Sequence, residues 1–437
     1  MRRIITAMVL IVAVSSLALT QWQFSRAFLP TSLKYGGNGI HGVAVDGAGK
    51  IWVIPYSATD SVFTAGGVKV TVRAIYVFNP DGTSVDTIKT IAYGSTRDTL
   101  RNPSVGLASD YSGNIYYCNR EFVYKINYTT RQGVWRLQPV TGTNSLTQVA
   151  IDGAGEIFTA NVLPGISPIN IFLSNGTTLS GQVDTAKTVG YSRAFAVSKD
   201  GNDVYWAGYT NFAVHKYHSA NGSLGPYGNA AGKAYVPDTV MKGFVAESFA
   251  WNPKNGYLWA SSGYNTLIPT GPWVGTSWYA YNPATDKVVD GFTWQPVPPA
   301  SRVDARPRGI AFSKGGDTAY VACFNIDSSA IQMWTRIPTS VEEVATKSVP
   351  TGYTLEQNFP NPFNPSTEIQ FTIAKAGFAQ VYIVDMLGRD VATLVHRDMQ
   401  AGTYKVRFDA SKLPSGTYIY TLRSGDVVVS KKMMLLK

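Results

Sequence analysis

The chain has 437 residues, of which 45% are hydrophobic, 12% aromatic and only 15% charged, with 41 Gly and 23 Pro. Gly and Pro are spread evenly between β-branched and aromatic residues, which excludes a disordered chain, a helical bundle and a collagen-like repeat and leaves a turn-rich, all-β protein. The net charge of +10 is not gathered into any Lys/Arg run longer than a pair. No nucleic-acid surface is therefore expected. Cys118 and Cys323 are the only cysteines, too few for a disulfide framework or a CxxC metal motif.

Residues 1–20 open with Arg2 and Arg3, continue as an apolar stretch from Ile4 to Val14 and reach the small-x-small triplet Ser16-Leu17-Ala18. This order predicts a secretory signal peptide, because the apolar run is shorter than the ~20 residues a spanning helix needs. Ser25-Arg26-Ala27 offers a second cleavage position. No other segment could span a membrane, so none is expected in the mature chain.

From residue 21 to 337 one pattern recurs: an apolar strand containing Ala, a polar turn, a Gly and an aromatic-rich strand. The copies are GVAVDGAGKIWV from Gly42, GLASDYSGNIYY from Gly106, QVAIDGAGEIFT from Gln148, AFAVSKDGNDVYW from Ala194, SFAWNPKNGYLW from Ser248 and GIAFSKGGDTAYV from Gly309. Their alanines, Ala44, Ala108, Ala150, Ala196, Ala250 and Ala311, lie 64, 42, 46, 54 and 61 residues apart. Such intervals suit four-stranded blades of a β-propeller with variable loops. A small Ala suits a crowded innermost strand. Asp46, Asp110, Asp152, Ser198, Asn252 and Ser313 can bond the turn backbone, and the glycines after them supply positive φ. Six blades are predicted, with a seventh only if the first interval hides a degenerate copy around Val68–Phe78. The sixth copy lacks a fourth strand, which Gln21–Tyr35 is expected to supply. This stretch resembles the NHL and YVTN-like propeller families, whose repeats carry a GIAVDxxGNIYV core; the resemblance implies a fold rather than an activity.

Residues 338–350 are polar and read as a linker. From 351 to 437, alternating strands broken by Gly and Pro predict a small Ig-like β-sandwich. Asn361-Pro362-Phe363-Asn364-Pro365, Asp385-Met386-Leu387-Gly388-Arg389, Gly402-Thr403-Tyr404, Gly416-Thr417-Tyr418 and the terminal Lys431-Lys432 follow one another in order. Together they resemble the type A C-terminal sorting domain of the type IX secretion system. The resemblance implies passage through the periplasm and outer membrane to the cell surface or medium, with that secretion machinery as partner. Lys431 and Lys432 are expected to end an exposed last strand, and an exposed edge can be read by strand addition.

The chemistry is sparser. HExxH, P-loop and GxSxG motifs are absent, and the Asp turns lack a full calcium-loop pattern. His215 and His218 lie three apart on an expected strand and so point to opposite faces. Three residues before each repeat alanine stand His41, Val105, Thr147, Arg193, Glu247 and Arg308. On a propeller these converge at the channel mouth, where a mixed-charge ring would hold a small polar or anionic ligand; equally, channel mouths are commonly polar without binding anything. Asn119, Asn161, Asn211, Asn265 and Asn325 recur after the second strand and serve either this face or the turns. A binding or structural module with no cofactor is the leading expectation. One alternative is a lactonase- or lyase-like enzyme holding Ca²⁺ between His41 and Glu247. Another is an adhesin binding surface polysaccharide through Trp273, Trp278 and Trp294, although most aromatics at strand spacing belong to a core.

Overall fold

The computed structural model describes residues 22–28, 39–139, 145–162, 168–184, 192–208, 212–262, 273–295, 306–324, 331–336, 341–344, 350, 352–411 and 413–437. Residues 1–20, expected as the signal peptide, lie outside them. The described residues are all-β apart from the single 3₁₀ turn Gly222–Leu224.

Each of the six repeats starts a four-stranded antiparallel sheet. The second strands, such as Ile51–Pro55, Ile115–Asn119 and Leu258–Ser262, are buried at every position. They are mostly apolar on both faces because neighbouring sheets cover both, and Asn119, Ser261 and Ser262 are buried polar exceptions at their ends. Fourth strands such as Leu179–Gln182 face solvent. The first strands pack in succession: Ile40–Val45 on Ser104–Ser109, then Leu146–Ile151, Ser192–Val197, Phe249–Trp251 and Arg306–Phe312, which returns to Ile40–Val45. Small residues permit this approach. A Cβ on Gly309 would lie 2.8 Å from the Val43 nitrogen, and one on Gly106 would lie 3.3 Å from Gln148 Cα.

The polar turn residues act as their chemistry suggests. Asp46 Oδ1 accepts the N–H groups of Ala48 at 2.8 Å and Lys50 at 2.9 Å, and Asp152 Oδ1 those of Ala154 at 3.0 Å and Glu156 at 2.8 Å. Burial pushes the Asp152 carboxyl up to about 6, against these bonds. Gly113, in the matching turn of the second repeat, has φ +87°, and a Cβ there would lie 2.2 Å from Gly47 Cα. Only glycine meets both demands.

The N-terminal strand Trp22–Phe28 pairs antiparallel with Ile331–Arg336 and becomes the fourth strand of the sixth sheet, as the missing strand of that repeat required. Trp22 is buried; its Nε1–H donates to Asp290 Oδ2 at 3.1 Å and its ring packs on Trp259, Phe292 and Phe312. The long first interval holds no further four-stranded sheet. It is taken up by the hairpins Asp60–Phe63/Lys69–Val72 and Thr90–Tyr93/Thr96–Thr99, while Ile75–Phe78 is the third strand of the first sheet.

The C-terminal module has two four-stranded sheets around one core that includes Ile369, Phe371, Val381, Ile383, Tyr420 and Leu422, all 0% exposed. Its first strand begins earlier than the sequence suggests. Val341–Val344, inside the expected linker 338–350, pairs with Thr403–Val406 as an edge strand.

Candidate functional site

The residues before the repeat alanines do converge at one end of the first strands, where they engage one another. The Glu247 carboxylate meets the guanidinium of Arg193 at 3.0 Å and that of Arg308 at 3.1 Å, with the Glu247 and Arg308 side chains both 3% exposed. Thr147 Oγ1 donates to the Arg193 carbonyl at 2.7 Å, and Ser248 Oγ donates to the Arg308 carbonyl. His41 is held well below the ordinary histidine pKa by burial first and then by the charges of Arg308 and Arg193, so it is neutral at pH 7. Its ring lies 5.6 Å from that of Tyr56, whose hydroxyl accepts from Arg120 Nη2 at 2.6 Å. The cluster ties four of the six sheets together, and its one carboxylate is already shared by two cations. Among the described residues no group of three or more His, Cys, Asp or Glu is placed to hold a metal ion.

Open space lies at the other end. A cavity of about 360 Å³ is walled by the six first strands and their following turns, and all six repeat alanines line it. The alanines keep the crowded place expected of them, since all six belong to or pack against the apolar clusters between neighbouring sheets, and the bore lies beside their backbone. His41, Thr147, Arg193, Glu247 and Arg308 are not among its lining residues. Ser109, Tyr111, Gln148, Trp251 and Lys314 are. Each first strand is the edge of its sheet, so its outward ladder N–H and C=O groups turn toward this bore. Only Gln148 had a visible signal, its place next to the polar ring; the others fall at positions that differ from copy to copy.

Of the recurrent asparagines, Asn119 Oδ1 accepts the N–H groups of Glu121 at 2.9 Å and Phe122 at 2.7 Å, a turn-capping role. Asn161 is buried. Asn211, Asn265 and Asn325 lie outside the described residues. The aromatic platform is corrected: Trp278 is 0% and Trp294 8% exposed, both in the core with Phe292. Trp273 packs edge-on to Phe244 at 5.0 Å and donates to the Lys242 carbonyl at 2.7 Å. His215 and His218 take separate partners, Thr239 and Asp203. Both cysteines are buried free thiols.

The motif residues of the C-terminal module are mostly structural. Asn361 Oδ1 accepts from the Met434 N–H at 2.9 Å, and Phe363, 2% exposed, exchanges main-chain bonds with Met434 and Leu436. Pro362 sits between these two anchors, and Asn364 leads to Pro365, whose carbonyl accepts from the Ala410 N–H at 2.9 Å. Gly388 turns the Asp385–Arg389 hairpin at φ +78°. Gly402 opposes Ile373, and Gly416 opposes Leu435. Tyr404 and Tyr418 donate to the carbonyls of Gln400 and Pro414. Lys431 and Lys432 oppose Tyr420 and Ile419, so they lie within the last strand, which runs on through buried Met433 and Leu435.

No curated protein matches the chain in sequence. Among solved structures, a streptogramin B lyase shares 12% identity at a TM-score of 0.42, covering 72% of this chain and 97% of that one. A virginiamycin B lyase from Staphylococcus aureus shares 11% at 0.42, with 72% and 99% covered. The calcium-binding protein regucalcin from Agrobacterium tumefaciens shares 11% at 0.45, with 71% and 95% covered. No residue role is carried across from them. Residues 357–436 match the secretion system C-terminal sorting domain family. The C-terminal module is thus a type IX sorting domain, and the chain carries its export address there.

Proposed function

We propose that the protein is a β-propeller of six blades, closed by its N-terminal strand and delivered to the cell surface or medium by a C-terminal Ig-like sorting sandwich. In this reading the propeller is a binding module that takes a small polar ligand in its channel. The observation that carries the proposal is the sorting-domain match over 357–436 behind six sheets in a cycle of contacts. The cavity of about 360 Å³, faced by edge-strand backbone, supports the ligand's size and polarity. A lactonase- or lyase-like centre would need Glu247 as a metal ligand, and that carboxylate already carries two guanidinium partners. An adhesin reading would need exposed aromatic faces, and the three tryptophans offered for it are packed or bonded.

The test is a truncation. Since Val341–Val344 belongs to the C-terminal module, the cut is made after Arg336. Fractionation should find the shortened chain retained in the periplasm as a folded propeller. Its appearance outside the cell at the full-length level would overturn the export reading.

A further inference from the structure

The last strand of the sorting domain, Val427–Leu435, pairs with Gly416–Ser424 on one side and forms the edge of its sheet. In an antiparallel ladder alternate residues turn their N–H and C=O away from the partner strand. Here these are the even-numbered residues. Met434 N–H donates to Asn361 Oδ1 at 2.9 Å, Phe363 N–H to the Met434 carbonyl at 2.9 Å, Leu436 N–H to the Phe363 carbonyl at 3.0 Å and Gln357 Nε2 to the Lys432 carbonyl at 2.8 Å. The segment 357–363 thus covers the edge from the Lys432 carbonyl onward, and Phe363 runs parallel beside Leu435. Before that point the cover stops. The outward N–H and C=O of Val428 and Ser430, and the N–H of Lys432, meet no partner among the described residues. The Val428 side chain beside them is 58% exposed.

Native sheets usually protect such a row with a cover, a proline or a bulge. This edge is protected over one half and open over the other. The geometry points to a docking strip: an extended segment of a protein of the export machinery adds as a strand along Val427–Lys432, with an apolar side chain against Val428. The inference rests on the sorting-domain reading of the module. Continuity argues for that occupant, since the strip prolongs the line occupied by 357–363. A strand laid there abuts the segment that carries Asn361–Pro365, together with Phe359, 80% exposed, and Met434, 44% exposed. Main-chain bonds then supply affinity, and these flanking side chains supply selection.

Ser430→Pro removes one outward N–H and the Ser430 Oγ bond to Thr421 Oγ1 at 2.8 Å, which Ser430→Ala also removes, but no main-chain bond of the ladder to Gly416–Ser424, a place where strands tolerate proline. Fractionation of cells expressing the full chain should show at least a tenfold loss of surface or released protein, with an unchanged thermal midpoint for the purified variant. Ser430→Ala, which keeps the backbone donor, should export normally. Export of folded Ser430→Pro at the wild-type level would overturn the strip. Should that variant have a lowered midpoint, Val428→Lys replaces it, since it alters only an exposed side chain and sets a charge against the incoming strand. Wild-type export of Val428→Lys would then be equally fatal. If the chain cut after Arg336 is itself exported, the sorting reading fails and the strip with it; if only the point variants are exported, the strip alone fails. Concentration-dependent dimers in sedimentation, lost in Ser430→Pro while export persists, would reassign the edge to a second copy of the chain.

Discussion

Glu247 is the residue on which the charged cluster turns. Two guanidiniums share its carboxylate, and the Glu247 and Arg308 side chains are each only 3% exposed. Taking away one partner of a buried pair typically costs about 3–5 kcal/mol, because the charge left behind is uncompensated. Glu247→Gln should therefore lose stability of that order in urea unfolding, and a loss below ~1 kcal/mol would mean that solvent reaches the cluster freely. The recurrence of polar residues three before five of the six alanines made the cluster's membership legible. Its internal pairing was not, because Arg193, Glu247 and Arg308 belong to three different repeats and their side chains meet only after the sheets are placed side by side. Trp278 shows the same limit from the apolar side: an aromatic residue has the same sequence appearance in a core as on a binding platform.

Among the elements, the N-terminal strand has the clearest sequence logic. The sixth repeat shows no fourth strand of its own after Ile331–Arg336, and the stretch before the first repeat completes its sheet. Trp22 locks the joint, buried among Trp259, Phe292 and Phe312 and bonded to Asp290. Trp22→Ala should cost about 3–5 kcal/mol, the range for emptying a large aromatic site. Ser25→Ala, on the same strand but exposed, should leave the denaturation midpoint unchanged. Equal effects would show that the joint depends on the ladder alone. Val341–Val344 is the opposite case. A four-residue edge strand containing Glu342 and Glu343 has too little alternation to stand out from a polar linker, and its partner, Thr403–Val406, lies some sixty residues away.

For the molecule as a whole, the open space is at the turn end of the channel, away from the charged ring. The repeat marks both ends of each first strand. It cannot tell which end stays open, since that depends on how six strands converge. If the bore takes the ligand, a compound that raises the wild-type thermal midpoint should do nothing for Ser109→Trp, which narrows the mouth from an exposed position. A preserved shift would place binding elsewhere. The closing strand bears on how the molecule withstands force. Ile331–Arg336, the strand from which the chain departs toward the sorting domain, has a neighbour on each side, Thr318–Phe324 and Trp22–Phe28. Were the exported chain held at the cell surface, a pull through the C-terminal module would reach the sixth sheet at Arg336, where two ladders must shear together before that sheet opens.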